Sequence, residues 1–99
     1  MIDEITKISY GTQFQQKVWQ ELIKIPFGSV MTYKQIANLI GTPLASRAVA
    51  NACAKNPYPI IIPCHRVIRS NGDIGGYSGT GGINQKRKLL NFEFGYEKF

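Results

Sequence analysis

Four clusters of helix-breaking residues punctuate this chain and limit each element between them to a short helix or strand. They are Pro26-Phe27-Gly28, Gly41-Thr42-Pro43, Pro57-Tyr58-Pro59 and the glycine-rich run GGYSGTGG at 75–82. With 99 residues, no internal repeat and no linker, the chain is expected to form one domain, 1–99.

Between the breaks the apolar spacing is helical. Residues 12–25 read as a helix, with Thr12 as N-cap and Phe14, Val18, Trp19, Leu22 and Ile23 on one face. Thr32 caps a second, shorter helix with Ile36, Ala37, Leu39 and Ile40 as its apolar positions. A third helix is expected from about Leu44 to Ala54, burying Leu44, Ala45, Ala48, Val49, Ala52 and Cys53. Its other face carries Ser46, Arg47, Ala50, Asn51 and Ala54. A solvated helix face usually bears long charged side chains, whereas small residues let a helix backbone approach another surface closely. The second and third helices, joined by a tight turn, have the proportions of a helix-turn-helix. Beyond them, Ile60 to Ile62 reads as a short buried strand, Val67-Ile68 as extended chain and Asn71-Gly72 as a turn. A last helix is expected from about Ile83 to Phe92, with Leu89 and Leu90 inward. The fold class is mainly α with a short β-wing.

Twelve Lys and Arg against six Asp and Glu give a formal charge of +6, which favours an anionic partner. Between Lys24 and Lys86 the only acid is Asp73, while Lys34, Arg47, Lys55, Arg66 and Arg69 lie in the same stretch. Nucleic acid is the first candidate, since phosphate neutralisation supplies most non-specific binding; a basic protein that is merely soluble is the bland alternative. No apolar run approaches the ~20 residues that span a bilayer, and the start MIDEITKISYGT is too polar for a secretory signal. The expected location is cytoplasmic, nucleoid-associated in a prokaryote, with no membrane partner. Two cysteines and one histidine are too few for a structural zinc site, and nothing supports a disulfide. The glycine-rich run lacks the Lys-Ser/Thr pair of a phosphate-binding P-loop.

One segment concentrates chemistry. Residues 60–69, IIIPCHRVIR, bring Cys64 beside the only histidine. A thiol is a weak nucleophile until ionised, and His65 or Arg66 could promote the thiolate. Neighbours on an extended chain point to opposite sides, so a bridging water or a turn at Pro63 is required to couple them. On spacing alone, an inert core cysteine beside a surface histidine is the simpler reading.

The stretch RAVANACAKNPYPIIIPCHRV (47–67), followed by GGYSG (75–79), resembles the active-site region of the O6-alkylguanine-DNA alkyltransferases, also called methylated-DNA–protein-cysteine methyltransferases. The resemblance extends to the helix with Phe14, Val18 and Trp19, to PFGSVMTYKQIA at 26–37 and to LLNFE at 89–93. It implies a winged helix-turn-helix-like alkyltransferase domain that flips the damaged base from the minor groove. By the same resemblance Cys64 is the alkyl acceptor, and His65 takes its proton through a water. Glu93 orients the histidine, Asn56 braces the active-site turn, and Tyr33 donates to the departing guanine. Arg47 fills the base stack, and Ser46, Ala50, Asn51, Thr32 and Arg66 join it as DNA contacts. Pro59, Val67, Tyr77, Ser78 and Gly79 form the base pocket. The implied partner is double-stranded DNA containing O6-alkylguanine, met by a monomer that needs no metal and no cofactor. Transfer is irreversible, so each molecule acts once.

Three departures stand out. The interval between Gly79 and Glu93 is about two residues longer than usual, a change that lengthens a loop at small entropic cost. Ala50-Asn51 stands where glycine is common. Typical members also carry an N-terminal domain. The small size resembles the alkyltransferase-like proteins, which bind alkylated guanine without transfer and commonly have tryptophan at the acceptor position; here that position is Cys64. The rival readings are such a lesion sensor, a winged-helix regulator reading sequence in the major groove, and a cysteine hydrolase, for which no oxyanion-hole motif is recognisable.

Overall fold

The computed structural model describes residues 11–77 and 79–99. Helix α1 (Gln13–Ile23) leads to strand β1 (Met31–Thr32), then α2 (Tyr33–Leu39) and α3 (Ser46–Ala54); a single 3-10 turn (Cys64–Arg66) precedes strand β2 (Val67–Ile68), and α4 (Gly82–Phe94) closes the order. Helices dominate, as the punctuation predicts.

Two helices start on the same device. At α1 the Gln15 amide donates to Thr12 Oγ1 (3.1 Å) while the Thr12 amide donates to Gln15 Oε1 (2.9 Å). At α2 Thr32 and Gln35 repeat it, at 3.0 and 2.8 Å. Each pair satisfies two amides that the helix cannot pair internally, and such a cap is worth ~1 kcal/mol. Helix α3 has no side-chain cap.

Helix α1 buries Val18, Trp19 and Leu22 against α3. The Trp19 indole donates to the Ala52 carbonyl across that contact (2.9 Å), which ties the first helix to the third at a fixed rotation. Ile36, Ala37, Val49, Ala52, Ile62 and Val67 complete this cluster, with Cys53 and Cys64 at its edge. A smaller cluster joins Ile68, Ile74 and Leu90. The short β element is a parallel pair, Met31 opposite Val67 and Thr32 opposite Ile68. It fastens the entrance of α2 to the chain leaving the cysteine turn. Among the described residues, no helix is long and apolar enough to cross a membrane.

The structure departs from three sequence expectations. Helix α3 starts at Ser46, not Leu44: Ala45 N–H bonds the Thr42 carbonyl (2.9 Å) in a turn, leaving Leu44 fully exposed outside the helical period. Ala48 then faces outward, and the buried stripe narrows to Val49, Ala52 and Cys53. Residues 60–62 are not a strand. Asn56 accepts from the Tyr58 amide (2.9 Å) and donates to the Ile62 carbonyl (2.7 Å), while the Ile62 amide bonds Tyr58 O (2.8 Å). These bonds close a loop in which Ile60 takes φ 76° and both Ile60 and Ile61 are exposed. β1 already pairs with β2, so three isoleucines here meet no ladder to join. Leu39 also lies outward of α2, exposed.

Candidate active site

The residues between Pro63 and Val67 decide the site's geometry. Cys64 N–H bonds the Ile62 carbonyl (2.7 Å) and Arg66 N–H bonds Pro63 O (2.9 Å), winding Cys64–Arg66 into one 3-10 turn. Extended chain would have sent Cys64 and His65 to opposite faces. The turn instead keeps both buried, at 4% and 0% exposure.

Cys64 lies in the wall of a cavity of about 590 Å³. Tyr33 enters from the start of α2. Ser46, Arg47, Ala50, Asn51, Cys53 and Ala54 come from α3, and Arg69, Ser70, Gly76 and Tyr77 from the segment after β2. The small-residue face of α3 is therefore the helix's cavity side.

His65 turns away from the cavity. Its Nε2–H donates to Glu93 Oε2 (2.6 Å), and its buried Nδ1 has no partner among the described residues. Glu93 is held from the other side by Arg66, whose Nε donates to Oε1 (2.7 Å) and Nη2 to Oε2 (3.0 Å). A third bond runs from Arg66 Nη1 to the Ile25 carbonyl (2.8 Å), at the end of α1. Phe27, whose ring is 5.8 Å from the guanidinium, covers this group and meets Phe92 edge-on.

The electrostatics follow from burial. Burial lowers the His65 pKa, with Glu93 opposing, so the imidazole is neutral at pH 7 and its contact with Glu93 is a hydrogen bond. Glu93 is pushed up by burial, but the bonds from Arg66 and His65 outweigh this and hold it below the usual carboxylate range. Burial raises the Cys64 thiol, while Asn56 and the Lys86 ammonium act against it. Tyr33 is pushed up to about 12 by burial, then by the nearby thiol groups. Cys53, also in the cavity wall, is raised to about 12 by burial first.

Sequence reasoning missed Lys86. Its Nζ is buried in α4 and donates to Val67 O (2.7 Å), Gly76 O (3.1 Å) and Tyr33 Oη (3.4 Å). Burial lowers its pKa to about 8. The signal was available: Lys86 precedes Leu90 by one helical turn, so both share the inward face.

The expected residues sort unevenly. Cys64 and Tyr33 line the cavity, with His65, Glu93 and Asn56 behind the turn. Of the expected DNA contacts, Ser46, Arg47, Ala50 and Asn51 line it. Thr32 instead caps α2. Arg66 spends three of its N–H donors on Glu93 and Ile25 inside the protein. Of the expected base pocket, Tyr77 lines the cavity. Val67 is core and supplies Lys86's acceptor, Pro59 bridges to Ile62, and Gly79 packs against the Tyr77 ring. Ser78 lies outside the described residues. Among the described residues no cluster of His, Cys, Asp or Glu could hold a metal ion.

Residues 13–94 match the family described as 6-O-methylguanine DNA methyltransferase, DNA binding domain. A probable methylated-DNA–protein-cysteine methyltransferase of Acanthamoeba polyphaga mimivirus is 55% identical over 83 residues, 84% of this chain and 54% of that protein. The crystal structure of Mycobacterium tuberculosis OGT in complex with DNA superposes with a TM-score of 0.82 at 52% identity, covering 86% of this chain and 52% of the other. Schizosaccharomyces pombe Atl1, solved with damaged DNA containing O6-carboxymethylguanine, gives 0.70 at 35% identity, covering 82% and 75%. The chain spans about half the length of the viral and mycobacterial proteins.

Proposed function

The chain belongs to the 6-O-methylguanine DNA methyltransferase family, and from that premise we propose that it repairs double-stranded DNA by moving an alkyl group from guanine O6 onto its own Cys64, once per molecule. The observation that carries this reading is the placement of Cys64 and Tyr33 in one cavity, with the Glu93-bound His65 next to Cys64 on the same 3-10 turn.

The roles follow from chemistry. A buried thiol is poorly ionised, so a base is needed. His65 is neutral, and with Nε2 committed to Glu93 its Nδ1 is the atom left to take the thiol proton, through a water. Glu93 fixes the ring and stabilises the imidazolium, as the third member of a nucleophile–base–orienter set. The Cys64 sulfur attacks the alkyl carbon, and the S–C bond forms as the C–O6 bond breaks. Tyr33, kept protonated by its raised pKa, donates to the departing guanine. The Lys86 ammonium, 3.4 Å from that hydroxyl, stabilises the phenolate left behind. The thioether product has no route back, so the protein is consumed.

Arg47, on the cavity side of α3, fills the stack vacated by the flipped base, and the small neighbours Ser46, Ala50 and Asn51 permit close approach of the helix to DNA. Arg66 acts as a positioning residue through Glu93. The protein acts as a monomer, on the chromosome, and in a prokaryote at the nucleoid.

The test is an intact-mass measurement after mixing with duplex DNA containing O6-methylguanine. One added methyl group, mapped to Cys64 and saturating at one per protein, is expected. Cys64→Ser binds the lesion and gains no mass. A second reading has one observation in its favour, the likeness to Atl1, of which the chain covers 75%. A lesion sensor binds alkylated duplex tightly and leaves both masses unchanged.

A further inference from the structure

The cavity walls carry two arginines, Arg47 and Arg69, and no carboxylate. A guanine base is neutral and gives a guanidinium no charge to meet. Of the other cations beside the site, Arg66 is tied to Glu93 and Ile25, and Lys86 to Val67, Gly76 and Tyr33. Among the described residues, the Arg69 side chain enters no ion pair and donates no hydrogen bond. Its placement is nonetheless specific. Its amide donates to Asp73 O (2.8 Å) and its carbonyl accepts from Gly72 (3.0 Å), so a tight turn holds the backbone on both sides. Its stem runs beside Gly75, where an added Cβ would stand 3.7 Å from Arg69 Cγ and 3.0 Å from Tyr33 Oη. Glycine there lets the Arg69 stem and the Tyr33 hydroxyl lie together. Ser70, the next residue, also lines the cavity.

We infer that Arg69 is a phosphate clamp: its guanidinium, with the Ser70 hydroxyl beside it, holds the backbone phosphate of the nucleotide turned into the cavity. This rests on the alkyl-transfer reading for which nucleotide is turned in, but not for the charge matching. A planar fork of N–H donors matches phosphate oxygens two at a time. With Arg47 in the base stack and Arg69 on the phosphate, the flipped nucleotide is held at both its vacated position and its backbone. The contact is blind to base sequence, as repair at any site requires.

The experiment compares Arg69 with Arg69→Ala, Arg69→Gln and Arg69→Lys in the full chain. Binding of O6-methylguanine duplex is measured on a Cys64→Ser background across about 50 to 200 mM salt. Transfer is measured with Cys64 intact, from duplex and from free O6-methylguanine base, which carries no phosphate. Arg69→Ala and Arg69→Gln are expected to bind about tenfold more weakly and to flatten the salt slope by about one phosphate's worth, while Arg69→Lys keeps the slope. Transfer from duplex is expected to fall about tenfold more than transfer from free base. An unaltered salt slope, or equal losses on duplex and free base, overturns the clamp. If Cys64-intact protein never gains mass while the slope shifts as expected, the transfer reading fails and the clamp stands.

Discussion

Glu93 holds His65 through a single 2.6 Å contact, and the same carboxylate is gripped by Arg66 at 2.7 and 3.0 Å. One acid at the end of α4 thus holds the His65 imidazole and neutralises the arginine beside it. Removing its charge leaves a part-buried guanidinium with half a partner. Glu93→Gln is expected to destabilise the fold by about 2 kcal/mol, the order of leaving a part-buried charged group short of a partner, and to slow transfer by about a hundredfold. Urea unfolding and single-turnover rates check the two effects. A variant with full stability and full rate would remove Glu93 from the site.

The His65 shift sets a pH dependence. Its folded pKa lies below the ordinary value of about 6.5 because the ring is buried. Below that value the unfolded chain takes up a proton that the folded one refuses, so this stability is fully present above about pH 6.5 and is lost as pH falls toward the folded pKa. Glu93, also depressed, adds a loss in the same direction below about pH 4.5. Melting temperature is expected to fall steadily from pH 7 to 4. Transfer rate is expected to stay level through pH 6.5 and decline only at lower pH, since His65 remains a free base there. A rate that halves near pH 6.5 would contradict the lowered pKa.

Lys86→Met keeps most of the buried volume and deletes the ammonium. The Lys86 charge favours the Cys64 thiolate and lies against Tyr33 Oη. The variant is expected to raise the Cys64 pKa further and to slow transfer by about a hundredfold, a size typical of losing a transition-state donor. The thiol titration is read from iodoacetamide reactivity against pH. Unchanged reactivity would detach Lys86 from the thiol.

Gly79 faces the Tyr77 ring so closely that an added Cβ would stand 2.5 Å from its carbons. Gly79→Ala must displace that ring or the loop. Tyr77 walls the cavity, so the expected result is slower transfer with near-normal melting temperature. A normal rate would show that the loop yields freely.

Much of this was legible in particular residues. Thr12 and Thr32 announce their helices because a cap is a local event, completed by a glutamine three residues on. Cys64 and His65 stand out through the resemblance. Ile60-Ile61-Ile62 misleads because a run of β-branched residues describes a preference that needs a neighbouring strand, and β1 is paired elsewhere. The Arg66 carboxylate partner is not legible in the sequence, because it lies 27 residues away along the chain.

By itself the sequence determined the short helices, the Thr12 and Thr32 caps, the small-residue face of α3 and the adjacency of Cys64 to the only histidine. These depend on neighbours along the chain. Only the tertiary structure decided that a 3-10 turn sends Cys64 into the cavity and His65 toward Glu93, that Arg66 is spent inside, and that Lys86 is buried beside Tyr33. The reason is physical: a charged side chain's role is set by which partners share its desolvated surroundings, and those partners come from α2, β2 and α4, segments that only packing brings together.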